Sequence, residues 1–197
     1  MTKPILYVVD DDQDVRDSLK VLLEFADYSV RTFQSAVKFL ASDLRDATGC
    51  LIVDIRMPDM DGLELQDELL KRKVDLPVIV ITGHGDVPLA VRAMRAGAVD
   101  FLEKPFREEA LLESVERALQ MRPRKTAAKS NDVLARLETL TDREREVLNL
   151  IVEGNTNKEV ARILDISPRT VDIHRAHVME KTHAKTLAEL VRMTLSA

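Results

Sequence analysis

Residues 50–72 read CLIVDIRMPDMDGLELQDELLKR. The run CLIVD is short, apolar and closed by the acid Asp54; MPDMDG, with Pro58 and Gly62, is turn chemistry; LELQDELLKR alternates apolar and charged positions with helical spacing. A strand, a turn and an amphipathic helix in so few residues make one βα unit. The pattern recurs along the first part of the chain. Strand-like runs stand at ILYVV (5–9), YSVRTF (28–33), PVIVIT (77–82) and VDFLE (99–103), and amphipathic stretches at 15–26, 36–42, 87–97 and 108–120. Five such units predict an α/β fold, a doubly wound five-stranded parallel sheet covered by helices on both faces, with strand order 2-1-3-4-5. Ligands of such sheets bind beyond the carboxyl ends of the strands, so chemistry is expected where each apolar run stops.

Bulk properties narrow the class. Of 197 residues, 45% are hydrophobic and 32% charged, ordinary for a globular protein with a real core. The single cysteine, Cys50, lies in an apolar run, which excludes an internal disulfide and a secreted disulfide scaffold. Only six apolar positions precede the acidic cluster at the N-terminus, too few for a signal segment or a membrane span, so a cytoplasmic protein without membrane contact is expected. The net charge of −5 is unevenly spread: residues 1–122 carry 16 Lys and Arg against 23 Asp and Glu, and residues 123–197 carry 13 against 11. An acidic part precedes a mildly basic one.

The strand ends carry complementary groups. Asp10 and Asp11 follow the first strand, Asp54 ends the third, Thr82 the fourth, and Lys104-Pro105 follows the fifth. The predicted strand order brings all of them to one edge. Three carboxylates with carbonyl and water oxygens form the hard donor set that Mg²⁺ prefers. An aspartate between Mg²⁺ and a lysine is suited to accept a phosphoryl group, and Asp54 has that central place, with Thr82 and Lys104 to hold the added oxygens. Asp12 and Asp14 read as starting residues of the first helix, and His84 as a loop residue, since no second His or Cys stands at ligand spacing.

DD at 10–11, DIRMPDMDG at 54–62, TGHGD at 82–86 and FLEKPF at 101–106 resemble the receiver domain of two-component response regulators over residues 3–122. The resemblance implies Asp54 as phosphoacceptor; Asp10, Asp11, Asp54 and the backbone carbonyl of Arg56 as Mg²⁺ ligands; Thr82 and Lys104 as phosphate readers; and Phe101 as the aromatic that follows Thr82. It further implies a cis peptide at Lys104-Pro105.

Residues 122–129 (RPRKTAAK) lose apolar periodicity and read as a linker, placed over 123–137, and SNDVLARLETL is expected to extend into a short connecting helix. Beyond it four helical segments are predicted in a small all-α domain over 138–197. Thr141 with Glu144 and Thr156 with Glu159 have capping-box spacing, and Ser167-Pro168 offers an N-cap followed by proline at N1. EVARILDISPRTVDIHRAHVMEK is a helix, a turn and a helix, the arrangement that places its second helix in the major groove of DNA. Val171, His174, Val178 and Thr182, with Met179 beside them, form the predicted core face of that second helix. Arg169, Asp172, Ile173, Ala176 and Glu180 form the opposite face.

LTDREREVL, NKEVA and SPRTVDIHRAHVMEK are similar to the LuxR-type four-helix DNA-binding domain, and both parts together resemble the FixJ/NarL family of response regulators, in its FixJ-like branch. That likeness places Asp172, Ile173 and Ala176 where base edges are read. Lys158, Arg169, Thr170, Arg175, His177, Lys181 and Lys185 are the candidate phosphate contacts. The expected partners are a sensor histidine kinase, double-stranded promoter DNA, RNA polymerase and, once phosphorylated, a second copy of the chain. Val91, Arg92, Arg95, Asp100 and Glu116 are candidates for the dimer interface because they combine an apolar residue with both charge signs. The function implied is a phosphorylation-switched transcription regulator, an activator, with no enzymatic role beyond Mg²⁺-dependent self-phosphorylation and self-dephosphorylation. Two other readings stay open in the residues. The D-x-D spacing of Asp10 and Asp12 suits an aspartate-nucleophile phosphatase, although the compact first part has no cap insertion. A DNA-binding protein whose receiver is never phosphorylated is the other.

Overall fold

The computed structural model describes residues 4–44, 47–83, 87–120 and 135–195. His84 and residues 123–134 of the expected linker lie outside the described residues, as do residues 130–134 of the expected connecting helix, of which residues 135–138 are helical.

The first elements alternate β1 (Ile5–Val9), α1 (Gln13–Phe25), β2 (Ser29–Phe33), α2 (Ala36–Leu40), β3 (Gly49–Asp54), α3 (Gly62–Lys71), β4 (Val78–Thr82), α4 (Val87–Arg95), β5 (Asp100–Glu103) and α5 (Glu108–Gln120). The sheet is parallel throughout with order β2-β1-β3-β4-β5, as its βα rhythm predicts. Strand periodicity divides the core. Leu6 and Val8 of β1, Cys50 and Ile52 of β3, and Ile79 and Ile81 of β4 point to one face, against Leu19 and Leu23 of α1 and Leu111, Val115 and Ala118 of α5. Tyr7, Leu51, Val53 and Val80 are the alternate residues and are also buried. On their side Tyr7 meets Phe39 of α2 edge-on at 5.6 Å, and Phe33 completes the aromatic group. Burial on both faces explains why β1, β3 and β4 are continuous apolar runs. Each fully buried Leu or Ile stabilises the fold by about 1.5–3 kcal/mol.

Gly62 opens α3 where no side chain fits: a Cβ there would collide with the Asp54 carbonyl oxygen. The Gly62 N–H donates to the Ile55 carbonyl, and Asp61 with Glu64 forms a full capping box, so the turn after Asp54 is folded back tightly onto its own strand.

The C-terminal helices are α6 (Asp142–Val152), α7 (Asn157–Leu164), α8 (Pro168–Thr182) and α9 (Leu187–Leu195). Both predicted capping boxes are present, and Ser167 caps α8 with Pro168 in its first turn. The turn between α7 and α8 is short because its ends are caps: Asp165 adopts the left-handed conformation at φ 53° and Ser167 starts the next helix. Val147 and Ile151 of α6, Val160 and Ala161 of α7 and Val171 of α8 share one core cluster. Leu148, Val178, Leu190 and Met193 join α6, α8 and α9 in another.

Candidate functional site

The parallel register sets β1, β3 and β4 side by side, so their carboxyl ends reach one edge together: Val9 pairs with Val53 and Asp54 with Ile81. Asp10 follows β1 and is 1% exposed; Asp54 ends β3 and is 6% exposed; Thr82 ends β4, fully buried. Lys104 follows β5, and its N–H donates to the Thr82 carbonyl at 2.7 Å, which ties the fifth strand's exit to the fourth. Its Nζ donates to Asp10 Oδ2 and to Asp54 Oδ1, both at 2.8 Å. The peptide from Lys104 to Pro105 is cis.

The remaining carboxylate oxygens are also engaged. Asp10 Oδ1 accepts from the Asp12 N–H at 2.9 Å, and Asp54 Oδ2 from the Arg56 N–H at 2.6 Å. The Arg16 guanidinium donates to the Asp10 carbonyl at 2.8 Å. Asp12 is the N-cap of α1, its side chain accepting from the Asp14 and Val15 N–H groups. This removes the second acid of the D-x-D pair from the site.

Two acids thus share one cation, and the balance shows in the titration of Asp54 and Lys104. Burial raises the Asp54 carboxyl pKa; the Lys104 hydrogen bond and charge pull it back only in part, and the nearby Asp10 charge pushes it up again. Burial acts to lower Lys104, but hydrogen bonds to Asp10 and Asp54 outweigh it and leave the ammonium pKa raised. The lysine gains from both acids, while each acid has only a share of the lysine. The pair of buried carboxylates therefore carries more negative charge than Lys104 neutralises, and all its donors are oxygen, which suits a hard divalent cation. Asp11 is exposed at the rim, and among the described residues no group of three acids, histidines or cysteines is gathered closely enough to hold a metal ion.

Phe101 is 9% exposed and pairs in register with Val80. Its N–H donates to Asp100 Oδ1, while Asp100 Oδ2 accepts from Ser114 Oγ and Arg117 Nη1, each at 2.6 Å. Of the residues named for a dimer interface, Asp100 and Val91 are buried, while Arg92, Arg95 and Glu116 are exposed.

Along α8 the predicted division of faces is present. Val171, Val178 and Thr182 are fully buried, Arg169, Asp172, Ala176 and Glu180 are exposed, and Ile173 is 49% exposed. The cations nearby fall into two sets. Lys158, Arg169 and Lys185 are exposed. Lys181 instead donates to Glu144 Oε2 at 2.6 Å, and His177 Nδ1 stands 3.7 Å from Glu144 Oε1. Arg175 donates to Asn157, which itself donates to Asp172, and the Thr170 hydroxyl is bonded to that of Ser167.

Spacing revealed the capping role of Glu144, because the Thr141 motif is local. That its carboxylate also takes Lys181, and that Asn157 and Ser114 join polar networks, had no local signal, since those partners are 37, 15 and 14 residues away.

Comparison with known families gives two matches: residues 6–116 match the response regulator receiver domain, and residues 138–194 match the bacterial regulatory proteins of the luxR family. This chain belongs to the LuxR-type response regulators. The regulator is 50% identical to the transcriptional regulatory protein FixJ of Rhizobium meliloti (strain 1021), over 100% of this chain and 97% of that protein. Among solved structures it resembles full-length FixJ from B. japonicum, with 44% identity, coverage of 100% and 98% of the two chains, and a TM-score of 0.58. It also resembles the response regulator StyR, with 42% identity, full coverage of both chains and a TM-score of 0.59. The α/β part is a CheY-like receiver, and the regulator is a phosphorylation-switched transcription regulator whose two domains imply a histidine kinase and DNA as partners. Receiver domains use Mg²⁺ for phosphorylation. Among the described residues no helix is long and apolar enough to cross a membrane.

Proposed function

We propose that Asp54 is the phosphoacceptor in a receiver of residues 1–122, joined by a linker over 123–137 to a DNA-binding domain of residues 138–197, and that the protein works in the cytoplasm. The observation that carries this reading is the Lys104 ammonium held between the buried carboxylates of Asp10 and Asp54 at the carboxyl edge of the sheet. An Asp54 oxygen attacks the phosphorus carried by a kinase histidine, the P–N bond breaks, and the imidazole leaves with a proton. Asp10, Asp11, Asp54 and the Arg56 carbonyl would hold Mg²⁺, which would supply positive charge against the transferring oxygens.

Lys104, already hydrogen-bonded to Asp54, follows the added oxygens, and the Thr82 hydroxyl donates to one of them. The phosphoryl group brings a charge of about −1.5 to −2, enough to move both side chains. Phe101 follows Thr82 and alters the face that carries Arg92, Arg95 and Glu116, where a second copy docks. Val91 and Asp100, buried in the present state, join that interface only when this face rearranges. The dimer then places two α8 helices on promoter DNA. Asp172, Ile173 and Ala176 face base edges, Lys158, Arg169, Thr170, Arg175 and Lys185 face phosphates, and His177 and Lys181 add phosphate contacts as far as Glu144 releases them. RNA polymerase is the further partner of an activator so placed.

The chain is treated with acetyl phosphate and Mg²⁺, and labelling is read by intact mass. Wild type gains one phosphoryl group and Asp54→Asn gains none; full labelling of the variant sinks the assignment. With beryllofluoride and Mg²⁺, wild type moves to the dimer position in size-exclusion chromatography and Asp54→Asn does not.

A further inference from the structure

Asn157, in the first turn of α7, uses its side-chain amide twice. Nδ2 donates to Asp172 Oδ1 at 2.6 Å, and Oδ1 accepts from Arg175 Nη1 at 3.0 Å. The partners dictate which way the amide faces, since a carboxylate only accepts and a guanidinium only donates. Asp172 and Arg175 are three residues apart on α8 and so are neighbours on its surface. Opposite charges at this spacing would ordinarily pair with each other. Here a neutral amide from the preceding helix separates them and holds each by one atom. Among the described residues, neither charged side chain makes another hydrogen bond. Asp172 Oδ2 and the other N–H groups of Arg175 are thus left available to a ligand.

The consequence is pre-organisation. Asp172 is exposed, and a carboxylate free in water loses rotamer freedom whenever it binds. Anchored through Oδ1, it presents a single acceptor in one place, the chemistry that recognises the exocyclic amine of cytosine in the major groove. Asn157 is not the cap of α7. Thr156 and Glu159 have that role, so shortening Asn157 leaves the helix start intact.

We infer that Asn157 is a positioning residue for sequence recognition: anchored on Arg175, it fixes Asp172 for base reading and thereby sets the base preference of α8 without touching DNA itself. This rests on the DNA-binding reading of α8.

The test uses the full chain with Mg²⁺ and beryllofluoride, mixed with a randomised duplex pool of about 30 base pairs, long enough for two half-sites. Bound duplexes are selected and sequenced for wild type, Asn157→Ala, Asp172→Ala and the double variant, and total affinity for the unselected pool is measured in parallel. Wild type is expected to enrich a defined site. Asn157→Ala keeps pool affinity within about twofold but lowers a preference of roughly tenfold to below about twofold at one base pair per half-site. That base pair is the one Asp172→Ala also relaxes, and the double variant relaxes it no further. Wild-type preference in Asn157→Ala overturns the inference. So does an equal loss of affinity for every sequence, which marks a phosphate-contact or folding role. A wild-type chain that enriches no sequence overturns the DNA-binding reading, and this inference with it.

Discussion

Single side chains in this protein are set by their immediate surroundings. Cys50 is fully buried in β3, and burial pushes its thiol up to about 12. Disulfide reagents at neutral pH are expected to find no reactive thiol in the native chain and one equivalent after denaturation; rapid labelling of the native protein would contradict this. Glu144 goes the other way. Its hydrogen bond from Lys181, followed by that from the Thr141 N–H, lowers its carboxyl from 4.5 to about 2. Because the folded value lies below the unfolded one, the stabilisation is complete above 4.5 and is lost as pH falls from there toward 2. The urea midpoint of the C-terminal helices should therefore drop between about pH 5 and about pH 3 in wild type, and drop less in Glu144→Gln. Parallel curves would mean that Lys181 contributes nothing there. Sequence spacing exposed Glu144 as a cap and Cys50 as a strand residue, because both roles depend on near neighbours.

At the scale of elements, ends and close approaches decide. Thr156 and Glu159 satisfy each other's backbone N–H groups at the start of α7, so Thr156→Ala should cost about 1 kcal/mol in chemical denaturation. Asp165 holds a left-handed conformation in the α7–α8 turn, and Asp165→Gly should gain about 0.5–1 kcal/mol. Gly62 has the opposite character. A methyl group there presses on the Asp54 carbonyl, so Gly62→Ala should destabilise the fold by about 1–3 kcal/mol and slow labelling by acetyl phosphate. Normal labelling kinetics in a stably folded Gly62→Ala would show that the backbone at Asp54 tolerates displacement. The capping boxes and the Ser167-Pro168 start were readable because a cap is a pattern over four residues. The collision at Gly62 was not, since it depends on how the turn folds back over β3.

For the whole molecule, charge distribution matters most. The first 122 residues are acidic and the remainder mildly basic, so binding to DNA must come from a small set of exposed cations rather than a broad basic surface. Of the lysines and arginines that are candidate phosphate contacts, Lys158, Arg169 and Lys185 are exposed in each copy. A dimer engaging all of them is expected to show a slope of about −5 in log affinity against log salt concentration. A slope near zero would remove phosphate contact as the source of affinity.

The five strands, their helices, the strand order and the residues at each strand end were all present in the order of the chain. Apolar periodicity and turn chemistry are local, and a parallel βα rhythm leaves few topologies. The family motifs are local as well. What only the tertiary structure decided is which charges meet. Lys104 lies 94 residues from Asp10, and parallel register alone brings it between Asp10 and Asp54. Lys181 is drawn to Glu144, and Asp172 and Arg175 to Asn157, by the packing of separate helices. A charged side chain on a helix surface has the same sequence signature whether it faces solvent, DNA or another side chain. Its partner is fixed by burial and geometry, and these exist only after the chain has folded.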